Sequence, residues 1–179
     1  TALGVLTLSG PRARRTLAAV GVDFPIDAQA FPHMTFRDGT VAGLPARVVR
    51  ASFTGEVSYE INVPADRTAE LWDRLCEAGR PHGLMPVGID AWMLLRTEKG
   101  FLHVGADTDG ATSPADVGWE RVLKRRQDFI GRRSLTRPDN LRADRLQFVG
   151  LEVVGTDEAL PIGAHLRGAN LAEGSEGYV

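Results

Sequence analysis

Between Glu56 and Val63 the chain reads Glu-Val-Ser-Tyr-Glu-Ile-Asn-Val, polar and apolar residues in strict turn. A period of two belongs to a strand with one face on a core and the other open. Val57, Tyr59, Ile61 and Val63 are thereby assigned to the core face, and Glu56, Ser58, Glu60 and Asn62 to the opposite one. A strand of this kind can hold a carboxylate on a rigid support, and Glu60 is the candidate.

The rest of the chain alternates helices and strands without the regular spacing of a doubly wound sheet, which predicts an α+β fold. An alternating segment at Val5-Leu6-Thr7-Leu8 is followed by Ser9-Gly10-Pro11 and a helix over Arg12 to Val20, with Ser9 the expected N-cap and Gly21 the stop. Met34 to Phe36 and Val41 to Ser52 read as strands joined through Arg37-Asp38-Gly39-Thr40, since Asp-Gly is a hairpin signal. Helices are predicted from about Asp66 to Ala78 and from Ile89 to about Thr97. A short helix is expected over Phe129 to Leu135, and strands over Leu146 to Val154 and Ala164 to Arg167. Both ends read as cut within alternating segments, Glu176-Gly177-Tyr178-Val179 resembling the start of another strand, so a fragment is expected.

Composition narrows the function classes. A net charge of −2 gives no general pull toward nucleic acid or anionic membrane. With 43% apolar and 25% charged residues the 179-residue chain is ordinary for a soluble globular protein, expected in the cytoplasm. Cys76 has no internal disulfide partner. No apolar run is long enough to span a bilayer. His33, His82, His103 and His165 are scattered, which argues against a metal site. Asp107 and Asp109 flank Thr108 in a turn, where stabilising the turn is the simpler role. No Gly-rich dinucleotide fingerprint follows a strand, so neither flavin nor NAD is expected to bind this segment.

Several stretches recur in a fixed order: Leu8-Ser9-Gly10-Pro11, Thr54-Gly55-Glu56 through Glu60, Arg96-Thr97-Glu98-Lys99-Gly100-Phe101, Val104 to Gly110, Ser113-Pro114, Asp128 to Leu135 and Val149-Gly150-Leu151-Glu152. In that order they resemble the folate-binding fold of the glycine-cleavage aminomethyltransferase (T-protein) family, above all its relatives at the C-terminal end of the sarcosine oxidase alpha subunit. The resemblance implies an aminomethyltransferase-like folate-binding domain over residues 1–137, N-terminally incomplete, and part of a small β-barrel domain over 138–179. It also implies tetrahydrofolate as cofactor and other sarcosine oxidase segments or subunits as partners. The reaction implied is transfer of an amine-derived one-carbon unit to give 5,10-methylene-tetrahydrofolate. The family's catalytic Asp falls in a segment before Thr1, so no catalytic residue is assigned here.

The same resemblance assigns Glu60 to the pterin, whose amide N–H and adjacent amino group a carboxylate accepts as a pair. Taken without it, Glu60 reads as a solvated residue on an exposed face. The resemblance implies that Arg96 is the family's folate-site arginine; alternatively it complements the C-terminal end of its helix. Phe53 stands where aminomethyltransferases often carry Tyr; its ring suits the pterin or its benzoyl extension, or simply a core. The basic run Arg121, Lys124, Arg125, Arg126, Arg132 and Arg133 suits an anionic folate tail or a solvated face, and lacks the aromatic interleaving of a nucleic-acid site. Relatives carry Gly-Leu-x-Trp where this chain has Gly118-Trp119-Glu120-Arg121, which puts an altered pocket or a structural, non-catalytic role beside the folate reading. An aminomethyltransferase of the glycine-cleavage type is the remaining alternative.

Overall fold

The structure is a computed structural model that describes residues 2–124, 127–168 and 175–179, without the side chain of Val122. The chain divides into two compact units, Thr1–Leu102 and His103–Val179.

The first unit is built on a four-stranded antiparallel sheet of β1 (Leu3–Ser9), β2 (Phe36–Val41), β3 (Leu44–Val49) and β4 (Ser58–Pro64), in the order β1-β4-β3-β2. The strand of strict alternation, β4, lies in its interior, paired with β1 on one side and β3 on the other. Tyr59, Ile61 and Val63 are fully buried, as the period of two predicts, and Val57 packs against the same core from just before the strand. Ser58 departs from the pattern. It is buried, and its hydroxyl lies 2.7 Å from that of Ser9, its register partner.

Two helices cover the inner face, α1 (Ala13–Val20) and α2 (Thr68–Gly79), each contributing an apolar stripe, Ala13 and Leu17 from one, Leu71 and Leu75 from the other. With Leu8, Phe31, Val41, Leu44 and Val48 these residues form one core. Each fully buried Leu, Ile, Val or Phe side chain contributes roughly 1.5–3 kcal/mol over an exposed one. Ser9 does not cap α1: it lies three residues before the N-cap, which Arg12 occupies without a side-chain hydrogen bond, and its hydroxyl meets that of Ser58 instead.

The hairpin turn also differs from expectation. Asp38-Gly39 lies inside β2, and the chain reverses at Ala42-Gly43, where φ is 53° and 74°. Positive φ at both central residues defines the type I′ turn that suits the twist of adjoining strands. Asp38 sits opposite Arg47 and accepts from its guanidinium at 2.7 and 2.9 Å. Gly39 is small for another reason: a Cβ there would run into Asp23 and Phe24, and the Asp23 carboxylate accepts the Thr40 N–H at 2.7 Å. The dipeptide marks a close approach of two segments, a signal that sequence cannot separate from a turn.

Helix α3 (Ile89–Glu98) follows, closed by Gly100 at φ 70°. None of its residues is fully buried.

The second unit is mostly irregular. It contains α4 (Glu120–Leu123), 3-10 turns at Arg132–Thr136 and Pro138–Leu141, and a two-stranded antiparallel pair, β5 (His165–Leu166) with β6 (Gly177–Tyr178). The short helix expected over Phe129 to Leu135 is the first of those 3-10 turns. Leu146 to Val154 is not a strand: it has no ladder partner among the described residues, and Leu146, Phe148, Val149, Leu151, Val153 and Val154 are substantially exposed. An alternating pattern becomes a strand only where another strand accepts its hydrogen bonds. The best-defined polar feature is Asp116 with Arg145. The guanidinium meets both carboxylate oxygens at 2.9 and 2.6 Å, and Asp116 also accepts the Ser113 N–H at 2.7 Å. Arg145 further donates to the Ala111 carbonyl.

Helix and sheet together make the fold α+β. Among the described residues, no helix is long and apolar enough to cross a membrane.

Candidate functional site

Glu60 stands at the middle of the sheet's outer face. Its register partners are Thr7 on β1 and Val49 on β3, and Val49 in turn faces Phe36 on β2. The next row of the same face is Val5, Asn62, Arg47 and Asp38. Leu3, Val5 and Phe36 are exposed on it. Arg47 lies over the Phe36 ring, 4.7 Å from its centroid, while held by Asp38. Asn62 folds its amide back onto the Arg47 and Glu60 carbonyls at 3.2 and 3.3 Å. The Glu60 carboxylate, half-buried, makes no hydrogen bond or ion pair among the described residues. A lone acceptor held on an inner strand between a hydroxyl and an apolar neighbour is free to take two donors from outside.

Phe53 and Arg96 belong to a different constellation, joined through Trp92. Phe53, in the loop before β4, stacks on Trp92 of α3 with ring centroids 4.0 Å apart and planes 29° from parallel. Arg96 lies one turn further along α3, its Nη1 donating to the Phe101 carbonyl at 3.1 Å while the Phe101 N–H returns a bond to the Arg96 carbonyl at 3.0 Å. Trp92 was not among the residues singled out from the sequence. Its spacing of four residues from Arg96 on a predicted helix was the available signal. Next to Phe53, Thr54 is buried with its hydroxyl unpartnered, and Gly55 takes φ 77°.

The remaining candidates fall into simpler places. Asp109 holds its own turn, accepting from the Thr112 hydroxyl at 2.7 Å and from the Ala111 and Thr112 N–H groups at 2.9 Å; these bonds hold its carboxyl below the usual range. Asp107 accepts the His103 N–H at 2.7 Å. Arg121 and Lys124 are exposed, Arg132 reaches Asp128 only at 4.0 Å, and Arg125 and Arg126 lie outside the described residues. No cluster of three or more metal-ligating side chains occurs among the described residues.

Comparison with known proteins places the chain in a family. The sequence model of the GCVT N-terminal domain matches residues 1–127. The chain belongs to the GCVT family. A similar protein is the sarcosine oxidase subunit alpha of Corynebacterium sp. (strain U-96), 39% identical over 176 residues, which are 98% of this chain and 18% of that protein. The sarcosine oxidase subunit alpha of Rhizobium meliloti (strain 1021) is 34% identical over 180 residues, 97% of this chain and 18% of its own length. The aminomethyltransferase of Chloroherpeton thalassium is 36% identical over 132 residues, 73% of this chain and 35% of that enzyme. This GCVT chain therefore spans less than a fifth of the oxidase subunits it resembles.

Proposed function

We propose that the chain forms part of the tetrahydrofolate-binding region of a sarcosine oxidase alpha-like protein. There it supports transfer of an amine-derived one-carbon unit to tetrahydrofolate, giving 5,10-methylene-tetrahydrofolate. The observation that carries this reading is the unpartnered Glu60 carboxylate at the centre of the sheet's outer face. One edge of the pterin presents an amide N–H beside an amino group, and two parallel charge-assisted bonds to one carboxylate would fix the ring's orientation. The Phe53–Trp92 stack offers aromatic surface and Arg96 a guanidinium for the remainder of the ligand. Held so, the folate nitrogens lie ready for an imine or formaldehyde carbon, and proximity supplies much of the rate. The catalytic proton transfer is assigned to no residue of this chain.

In this reading residues 1–137 belong to the folate-binding domain and 138–179 begin a small β-barrel domain. Flavin and NAD are bound elsewhere. The subunit names of the similar oxidases support association with other segments or subunits, whereas the modest net charge gives no reason to expect nucleic acid as a partner. Calorimetric titration of tetrahydrofolate into wild type and Glu60→Gln tests the site. Gln keeps one acceptor oxygen but loses the charge and sets an NH2 against the second donor, which predicts a roughly 10- to 100-fold weaker complex. Equal affinities would remove Glu60 from the site.

A second reading, a structural or assembly domain without folate chemistry, is favoured by one observation: Phe53 and Arg96 already have partners within the chain. It requires partner association that does not depend on folate, and a pull-down abolished by folate removal counts against it. A glycine-cleavage aminomethyltransferase is the third reading, supported by the similarity to that enzyme.

A further inference from the structure

Trp92 and Arg96 of α3 and Lys99, its C-cap in helical conformation, are spaced by four and three residues, so they lie along one face. That face meets the loop before β4. At its N-terminal end Trp92 stacks on Phe53. At the other end the Lys99 stem lies along Gly55: a Cβ at Gly55 would collide with the Lys99 Cγ and stand only 2.9 Å from Cδ and 3.0 Å from Cε. Gly55 also holds φ 77°, a conformation that L side chains rarely adopt. The loop is thus shaped to receive the lysine stem.

Lys99 makes no hydrogen bond or ion pair among the described residues, and Glu56 and Glu98, its neighbours in the loop and on the helix, leave it unneutralised. Ordering a lysine costs side-chain entropy. Packing on Gly55 meets part of that cost before a ligand arrives, and pre-organisation of this kind raises affinity. Trp92 and Lys99 are seven residues apart, about 10 Å along the helix. An aromatic ring at the Phe53–Trp92 stack, joined to an amino acid through an amide, would span that length and bring a carboxylate to the ammonium.

We propose that Lys99 is a specificity-determining residue that binds the carboxylate end of an aromatic ligand whose ring lies at the Phe53–Trp92 stack. The inference rests on the folate reading above and deepens it: the carboxylate is that of the glutamate attached to the benzoyl group.

The test compares tetrahydrofolate with tetrahydropteroate, which has the same ring and benzoyl group but no glutamate, by calorimetry on the full chain. Lys99→Met keeps the stem over Gly55 and removes the charge. The expected result is about three- to tenfold weaker tetrahydrofolate binding, with tetrahydropteroate changed by less than about twofold. Raising the salt concentration narrows the gap between the two ligands in wild type. Lys99→Glu, which reverses the sign, weakens tetrahydrofolate further and again spares tetrahydropteroate. Equal changes for both ligands, or none for either, overturn the assignment of Lys99 while leaving the folate reading intact. Failure of wild type to bind either ligand overturns the folate reading and this inference with it.

Discussion

Adjacent residues of β4 should respond oppositely to truncation. Ile61 is fully buried on the inner face, between Leu6 of β1 and Val48 of β3 in register. Ile61→Ala removes three carbons from a site where strands on both sides prevent collapse, so transfer and cavity costs add. The expected loss is about 3–4 kcal/mol, a large share of the roughly 5–15 kcal/mol that holds an ordinary domain folded. Glu60→Ala, one residue earlier, removes a side chain without a partner on the outer face, and should cost less than about 1 kcal/mol. Urea unfolding followed by circular dichroism measures both. With a slope near 1–3 kcal/mol/M, Ile61→Ala lowers the midpoint by about 1–4 M at unchanged slope, while Glu60→Ala stays close to wild type. An Ile61→Ala loss below about 1 kcal/mol, or equal losses for the two variants, would refute the assignment of faces. The comparison also supports the binding test, because a Glu60 variant that weakens tetrahydrofolate binding without losing stability acts at a site.

Two further outcomes follow from local geometry. Ala42 holds φ 53° in the hairpin turn, where Gly carries no Cβ penalty, so Ala42→Gly should raise stability by up to about 1 kcal/mol, read as an increase in Tm; a decrease would refute the turn assignment. In the second unit, the paired bonds from Arg145, followed by the Ser113 N–H, hold the Asp116 carboxyl well below the usual carboxylate range. A depressed folded value means that the ionised form stabilises the fold above the unfolded value near pH 4, and that this contribution is lost as pH falls below it. Asp116→Asn should destabilise this unit by about 2–4 kcal/mol at neutral pH and flatten the acid limb of its stability profile; an unchanged acid limb in thermal melts would refute the role of the pair.

How much could be read beforehand varied with the range of the interactions. The helices α1, α2 and α3 were legible to within a residue or two, because apolar spacing and Gly stops act within a few residues. The Glu60 strand was legible for the same reason, a short period with an unambiguous face. The Asp38-Gly39 turn was misread because the constraint on Gly39 comes from Asp23 and Phe24, far from it along the chain. Leu146 to Val154 alternates like a strand yet pairs with no strand among the described residues. The resemblance drew attention to Phe53, Glu60 and Arg96, but nothing local to them revealed that Trp92 lies against Phe53.

The sequence by itself therefore determined the α+β class, the burial of Tyr59, Ile61 and Val63, and the outward position of Glu60. Each of these follows from periodicity along a single element. Tertiary structure alone decided that β4 is an inner strand, that the chain turns at Ala42-Gly43, and that Gly55 receives the stem of Lys99. Those features depend on which segments meet in space, and hydrophobic burial, being non-directional, does not encode the partner in any one of them.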